Sequence, residues 1–233
     1  ANYEPGIDIR AKLTVLAEGT RGSLTKQLVI KQKLDAGQNP QVYATGIKEL
    51  WRIPGCDAKT PSNRGRVIHT LGWPLDMKTF GGGFAYFMGD DLLSLGFVTG
   101  LDYHDPTTDP HRKFQEFKQH PYIKDLLAGG EFVRYGAKTI PEGGWWSRPR
   151  PYADGVLIIS DAGSNLNPAW LKGIHMAIKT GMLAAETALD ALVKGDTSKE
   201  LLKSYEDRVQ GSWVKEELFG VRRGHTRSGI VDV

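Results

Sequence analysis

Cysteine is nearly absent: Cys56 stands alone in 233 residues. One thiol excludes an internal disulfide, an iron–sulfur cluster held by this chain, and a zinc site built on thiolates. It agrees with a reducing compartment. A surplus of one charge is also missing. Lys and Arg number 30 against 27 Asp and Glu, a formal +3, which is too weak to call for a nucleic-acid partner. Long hydrophobic runs are missing too: the longest aliphatic stretch is Val156 to Ile159, far short of the roughly 18 residues that span a bilayer. No internal repeat or low-complexity tract is present. What remains is an ordinary globular composition, 40% hydrophobic and 24% charged, long enough for one large domain or two small ones. Glycine is in excess at 28 residues, concentrated at 81–83, 129–130 and 143–144, where the backbone must turn tightly or meet a neighbour closely. The opening Ala1, Asn2, Tyr3 carries neither an initiator Met nor a signal peptide, and the expectation is an excised or processed piece.

Along the chain, alternation from Ile7 to Ala17 predicts a strand, followed by a glycine turn and a short helix from Leu24 to Val29 capped by Ser23. Residues 41–99 read as β-rich and antiparallel, with strands at 42–47 and 66–71 and a hairpin of 84–88 with 92–99 across Gly89, Asp90 and Asp91. Asp109 and Pro110 open a helix whose apolar side includes Phe114, Phe117, Ile123, Leu126 and Leu127. Residues 141–151 form a glycine-, tryptophan- and proline-rich loop, and residues 155–161 a buried strand. A long helix over 171–193 carries an apolar and small-residue stripe, Ile174, Ala177, Ile178, Gly181, Ala185, Ala188, Leu189 and Leu192. Tyr205, Val209 and Trp213 mark a final helix ending near Phe219.

Two segments carry chemistry. Leu13 to Gly19 and Val156 to Gly163 each end a strand in small residues, with an acid at the turn and a helix beyond. Such an edge admits a pyrophosphate or sugar to backbone amides and offers a carboxylate to a hydroxyl. Taken singly, either could be a strand that merely turns into a helix. The second continues into a helix opening at Gly173, whose N-terminus presents unpaired amides and a positive dipole end.

The run GVLIISDAGSNLNPAWLKGIHMAIKTGMLAAE over 155–186 resembles the C-terminal flavin motif of the electron transfer flavoprotein–ubiquinone oxidoreductase family. HTLGWPLD at 69–76, FGGGF at 80–84, GLDY at 100–103, YGA at 135–137, EGG at 142–144 and SWVKEEL at 212–218 match in order, so the resemblance covers essentially the whole chain. It implies an α+β architecture: an antiparallel ubiquinone-binding sheet with helices over 31–150, with portions of a glutathione-reductase-like FAD domain at 1–30 and 151–195 and a helical segment at 196–233. It further implies a flavoenzyme taking electrons from electron transfer flavoprotein to ubiquinone through FAD and a [4Fe–4S] cluster. Such an enzyme sits on the membrane surface as a peripheral, monotopic protein, on the matrix face of the mitochondrial inner membrane or the cytoplasmic face of a bacterial one. The N-terminal dinucleotide turn and the cysteine-rich cluster domain are absent from this sequence. The expectation is therefore a central fragment, inactive alone.

By the resemblance, Asp161, Ala162, Lys172, Gly173 and Ile174 lie along the flavin, Ala17 and Gly19 near its adenine side, and Phe80, Gly81 and Gly82 at the quinone headgroup. Quinone carbonyls need donors without bulky neighbours, which glycine amides supply. No residue is assigned a metal or a catalytic role. A related quinone-linked flavoprotein of the nitrogen-fixation or geranylgeranyl reductase type, and a non-catalytic quinone- or lipid-binding piece, are the rival readings. His69 and His175 invite proton-transfer roles, but a packed structural histidine is the favoured reading. His104, Asp105, Asp109 and His111 match no metal-ligand spacing and read as a solvated loop. Trp145 and Trp146 read as core, and Arg222, Arg223, His225 and Arg227 as a basic tail that could meet lipid phosphates or an acidic protein partner.

Overall fold

A computed structural model describes residues 3–56, 65–89 and 91–222. The expected turn residue Asp90 and the tail residues Arg223, His225 and Arg227 lie outside the described residues. The fold is mixed α+β and separates into two units, residues 42–142 and residues 1–41 with 143–222.

The first unit is a five-stranded antiparallel sheet in the order β3-β4-β5-β2-β6, with β2 Tyr43–Arg52, β3 Val67–His69, β4 Gly81–Phe87, β5 Leu92–Gly100 and β6 Glu131–Pro141. Alternation sends Leu93, Leu95 and Phe97 to one face, where they pack on Phe114 and Phe117 of α2 (Pro110–Phe117) and Ile123 of α3 (Pro121–Leu126). The helix expected to run on from Asp109 is two helices. Asp109 caps α2 by accepting from the His111 and Arg112 amides, and Pro121 forces the chain to restart. On the same face Glu49 is buried with Lys118, whose Nζ donates to its two carboxylate oxygens at 2.8 and 3.0 Å, while Trp51 Nε1 donates at 2.9 Å.

The second unit holds a small sheet in the order β1-β8-β7, in which β1 (Thr14–Leu16) runs parallel to β8 (Val156–Ile158) and β7 (Tyr152–Ala153) antiparallel to it. Against it pack α4 (Ile174–Lys194), α5 (Lys199–Gln210) and α6 (Trp213–Gly220). The predicted strand from Ile7 is confined to Thr14–Leu16, because residues 7–11, although alternating, have no ladder partner among the described residues. The predicted stripe on α4 is corrected as well. The helix buries Met176, Thr180, Leu183, Ala184, Thr187 and Ala191, whereas Ile174, Ile178, Leu189 and Leu192 are exposed. Trp213 does not extend the Tyr205–Val209 helix but begins α6 after Gly211 and the capping Ser212.

Candidate functional site

In the second unit, β1 and β8 lie side by side in parallel, and Ile159 N–H donates to Leu16 O at 3.0 Å. Their carboxyl ends therefore open at one edge, the place where parallel strands present ligand-binding turns. Ala17 is exposed at the end of β1, and Gly19 takes a left-handed φ of 72°. Here the structure decides what Glu18 does. Its carboxylate accepts from the Leu24 and Thr25 amides at 3.2 and 2.7 Å and from Thr25 Oγ1 at 2.8 Å. It thereby closes the first turn of α1 (Ser23–Gln32), in place of the Ser23 cap expected from sequence, since Gly22 is the N-cap and contributes no side chain. The Thr25 amide above all holds the Glu18 carboxyl below the usual carboxylate range. Glu18 is thus committed to the helix.

The turn after β8 is a 3₁₀ turn, Ser160–Gly163. Ser160 and Ser164 both hold left-handed φ values, 58° and 59°, which cost strain in non-glycine residues. Three residues not singled out from sequence hold this turn. Thr180 of α4 accepts the Ser160 N–H at 3.1 Å, the Asn165 side-chain amide donates to Ser160 O at 3.1 Å, and Arg148 Nε donates to Asn165 Oδ1 at 3.0 Å. Arg148 is only 5% exposed, reaches Glu206 of α5, and lies over the Trp145 ring. The cluster of basic and aromatic residues at 145–150 was its one visible signal.

Asp161 and Gly173 are brought together: a β-carbon at Gly173 would sit 3.3 Å from Asp161 Oδ1. Ala162 is buried in the same turn. Gly173 is the N-cap of the 21-residue α4 and supplies no side-chain acceptor, so the first-turn amides lack intrahelical partners. The arrangement of small residues, one carboxylate and an open helix N-terminus suits a polar ring edge or an anion. Lys172 is placed differently. Its backbone pairs with Asn167, and its ammonium lies 5.5 Å from the Trp170 ring centroid. Ile174 is 81% exposed. His175 is satisfied: Nε2 lies 3.0 Å from both Glu217 oxygens and the ring stacks on Trp213. With Asn167, Trp170, Lys172 and Glu217 it lines a cavity of about 460 Å³.

In the first unit, Gly81 to Gly83 form the start of strand β4 rather than a flexible turn. Phe80 O accepts from Gly100 N–H, which makes 80 and 100 a hydrogen-bonded pair and, by alternation, 82 and 98 the next. The Gly82 amide therefore points into the β4–β5 ladder and the Gly81 amide away from it. A β-carbon at Gly82 would fall 2.1 Å from Thr70 O, and one at Gly81, with φ 148°, would fall 2.2 Å from Val98 O. Close backbone approach thus requires glycine at both positions. At the same end of the sheet Glu142 is fully buried. Burial, and secondarily the negative charge of Asp102, pushes its carboxyl up to about 8. His69 is exposed on β3, Asp105 accepts from Thr107, and no group of metal-ligating side chains is assembled among the described residues.

Residues 43–140 match the family described as ETF-QO, ubiquinone-binding. Across 94–95% of its length the chain is 45% identical to the mitochondrial electron transfer flavoprotein–ubiquinone oxidoreductase of Arabidopsis thaliana, 42% identical to the mitochondrial one of Homo sapiens and 42% identical to the electron transfer flavoprotein–ubiquinone oxidoreductase of Pseudomonas aeruginosa. It spans 34–39% of those relatives' own length. The fold is similar to a geranylgeranyl bacteriochlorophyll reductase-like protein from Thermoplasma acidophilum, with TM-score 0.73, 16% identity, and coverage of 96% of this chain and 52% of that one. It is also similar to a mutant of the halogenase PltM in complex with FAD, with TM-score 0.62, 15% identity, and coverage of 88% and 42%. At such identities the likeness speaks of fold alone, whereas the sequence matches go further: residues 43–140 match the ubiquinone-binding family, and 94–95% of the chain is similar, at 42–45% identity, to part of the electron transfer flavoprotein–ubiquinone oxidoreductases.

Proposed function

We propose that this chain is the quinone-binding and partial flavin-binding part of an oxidoreductase that passes electrons from reduced electron transfer flavoprotein to ubiquinone. The observation that carries the reading is the match of residues 43–140 to the ubiquinone-binding family, set within identity that runs the length of the chain. The residues fit FAD. Asp161 would accept from a ribityl hydroxyl, the α4 N-terminus behind Gly173 would face the flavin pyrimidine edge, and Ala17 and Gly19 would leave room beside the adenosine. Bound there, FAD supplies one- and two-electron chemistry. Lys172 and Ile174 would border the ring from the turn before α4 and from its first residue.

The residues do not fit a [4Fe–4S] cluster, since a single buried thiol, Cys56, cannot supply four ligands. Phe80, Gly81 and Gly82 would border the quinone headgroup. No helix among the described residues is long and apolar enough to cross a membrane. The proposed association is peripheral, on a mitochondrial or bacterial inner membrane.

The test is in two parts. The purified chain should be colourless, with FAD binding weak, because it lacks the dinucleotide turn that grips the pyrophosphate; stoichiometric FAD carried through gel filtration overturns that part. In the intact oxidoreductase carrying this sequence, reduced electron transfer flavoprotein should bleach the flavin and a ubiquinone analogue should restore it. Failure of the analogue to do so overturns the quinone assignment.

A further inference from the structure

We propose that Thr180, Asn165 and Arg148 are positioning residues for the flavin contact: they hold Ser160 in a strained left-handed conformation and through it aim the Asp161 carboxyl at the cofactor. This rests on the FAD reading above.

The turn after β8 needs a conformation that its sequence does not favour. Ser160, the residue before Asp161, holds φ 58°, and Ser164 holds φ 59°. A β-carbon crowds the following carbonyl oxygen there, which disfavours the conformation about tenfold. The strain at Ser160 is met by contacts from outside it, made to both of its backbone polar groups. Its N–H donates to Thr180 Oγ1 at 3.1 Å, and its carbonyl accepts from the Asn165 side-chain amide and the Asn165 N–H, each at 3.1 Å. Thr180 is set by its own helix, where its hydroxyl donates to Met176 O at 2.8 Å.

Arg148 decides which way the Asn165 amide faces. A guanidinium only donates and a backbone carbonyl only accepts. With Arg148 Nε donating to Oδ1 at 3.0 Å, the amide nitrogen must turn to Ser160 O. Arg148 is fixed in its turn by Glu206, whose two oxygens accept from Nη1 and Nη2 at 3.4 and 3.2 Å, and by the Trp145 ring, whose centroid lies 4.6 Å from Cζ. Asn165 and Thr180 are fully buried and Arg148 is nearly so, and a buried partner left unpaired costs its full desolvation. The second strained residue is tied as well: Ser164 Oγ accepts from Gln41 Nε2 at 2.5 Å, and its N–H donates to Asp161 O at 3.1 Å. Asp161 is therefore bracketed by two left-handed residues, each held from outside the turn. Relaxation of Ser160 to a negative φ would swing the chain at Asp161 away from Gly173, which it now faces. Glycine takes a φ near 58° without this strain, so a glycine at 160 makes the ties dispensable. Packing alone predicts no such rescue.

Urea denaturation of the chain tests the coupling. Thr180→Val keeps the side chain's shape and removes the oxygen, and Asn165→Asp keeps a partner for Arg148 but turns an acceptor on Ser160 O. Each should lower the midpoint. Ser160→Gly should raise the midpoint of either variant by more than it raises that of the unsubstituted chain. A variant that folds only together with Ser160→Gly supports the coupling; equal increments, or two variants that fold in neither background, overturn it. In the intact oxidoreductase carrying this sequence, fluorescence titration should show FAD bound about tenfold more weakly by each variant, the factor set by the strain. Ser160→Gly should bring the affinity back to within about twofold, since glycine needs no holding. Loosened FAD that Ser160→Gly does not restore overturns the positioning role. Unchanged FAD affinity also overturns it where Asp161→Ala loosens the cofactor. If Asp161→Ala too leaves the affinity unchanged, the flavin reading of this turn fails and the positioning role with it, while the coupling measured in urea stands.

Discussion

Replacing Gly82 and Gly136 by alanine should move stability in opposite directions, although both are strand glycines of one sheet. At Gly82 the new β-carbon would lie 2.1 Å from Thr70 O and 2.9 Å from Leu71 Cα. A carbon and an oxygen need more than about 3 Å, so the strand and the 70–72 segment must part by about 1 Å. That segment is fastened to β4 by four hydrogen bonds: Thr70 N–H to Gly83 O at 2.8 Å, Thr70 Oγ1 to Gly83 O at 3.3 Å, Gly83 N–H to Thr70 Oγ1 at 2.9 Å, and Gly72 N–H to Gly81 O at 3.0 Å. Stretching bonds worth about 0.5–1.5 kcal/mol each and overpacking the contact together predict a loss of about 2–3 kcal/mol. At Gly136 no heavy atom lies within 4 Å of the new carbon, and replacing a strand glycine there should gain about 0.5–1 kcal/mol. Urea denaturation followed by tryptophan fluorescence would measure both, with unchanged slopes showing that compactness is not altered. If Gly82→Ala unfolds at the unsubstituted midpoint, the 70–72 segment does not lie over β4 as described. The same geometry bears on quinone chemistry. A valine at Gly82 acts first by displacing this segment, so its effect on quinone reduction is interpretable only with stability measured alongside.

Three other changes follow from the same contacts. Asp161→Ala in the FAD-loaded oxidoreductase should loosen the cofactor by about 1.5–3 kcal/mol, the range for a charged hydrogen bond; fluorescence titration with an unaltered affinity would move the ribityl contact elsewhere. Lys118→Met removes the ammonium from the buried Glu49 carboxylate and leaves the Trp51 indole donating at 2.9 Å, which should cost about 3–5 kcal/mol in denaturant unfolding; a loss under about 1 kcal/mol, the range of an exposed pair, would show that water reaches Glu49. Glu142, raised by burial and by Asp102 to about 8 from an ordinary 4.5, binds its proton more tightly folded than unfolded. Its contribution is full below about pH 4.5 and is lost as pH rises through 8. The stability of Glu142→Gln, measured by denaturation across that window, should therefore fall less steeply with pH than that of the unsubstituted chain, and parallel profiles would refute the shift.

Local signals in the sequence carried well wherever the cause is itself local. Asp109 with Pro110 starts α2 because a capping carboxylate and a fixed proline φ act within one turn. The buried run from Val156 becomes β8, and Gly195 ends α4 in a left-handed conformation that glycine adopts at little cost. The ordered motifs sufficed for the family. Two of the errors share one origin, since alternation or a helical stripe names a face without naming what covers it. Residues 7–11 alternate but find no ladder among the described residues, and the apolar stripe of α4 is the side left exposed. β6 went unnoticed because residues 131–138 are exposed, and only pairing with β2 makes them a strand.

Of the candidate site, the sequence by itself determined the small residues at the ends of β1 and β8, the acid at 161 and the glycine opening α4, because these are features of a strand, its turn and the helix beyond. Tertiary structure alone decided the rest. It set Arg148 and Thr180 to hold the strained Ser160 turn, laid Thr70 over Gly82, and buried Glu142 within reach of the charge of Asp102. The physical reason is range. A cap or a turn is settled among neighbours in sequence, whereas the pairing of Glu49 with Lys118, 69 residues apart, or the removal of a carboxyl from water, exists only once distant strands and helices have met.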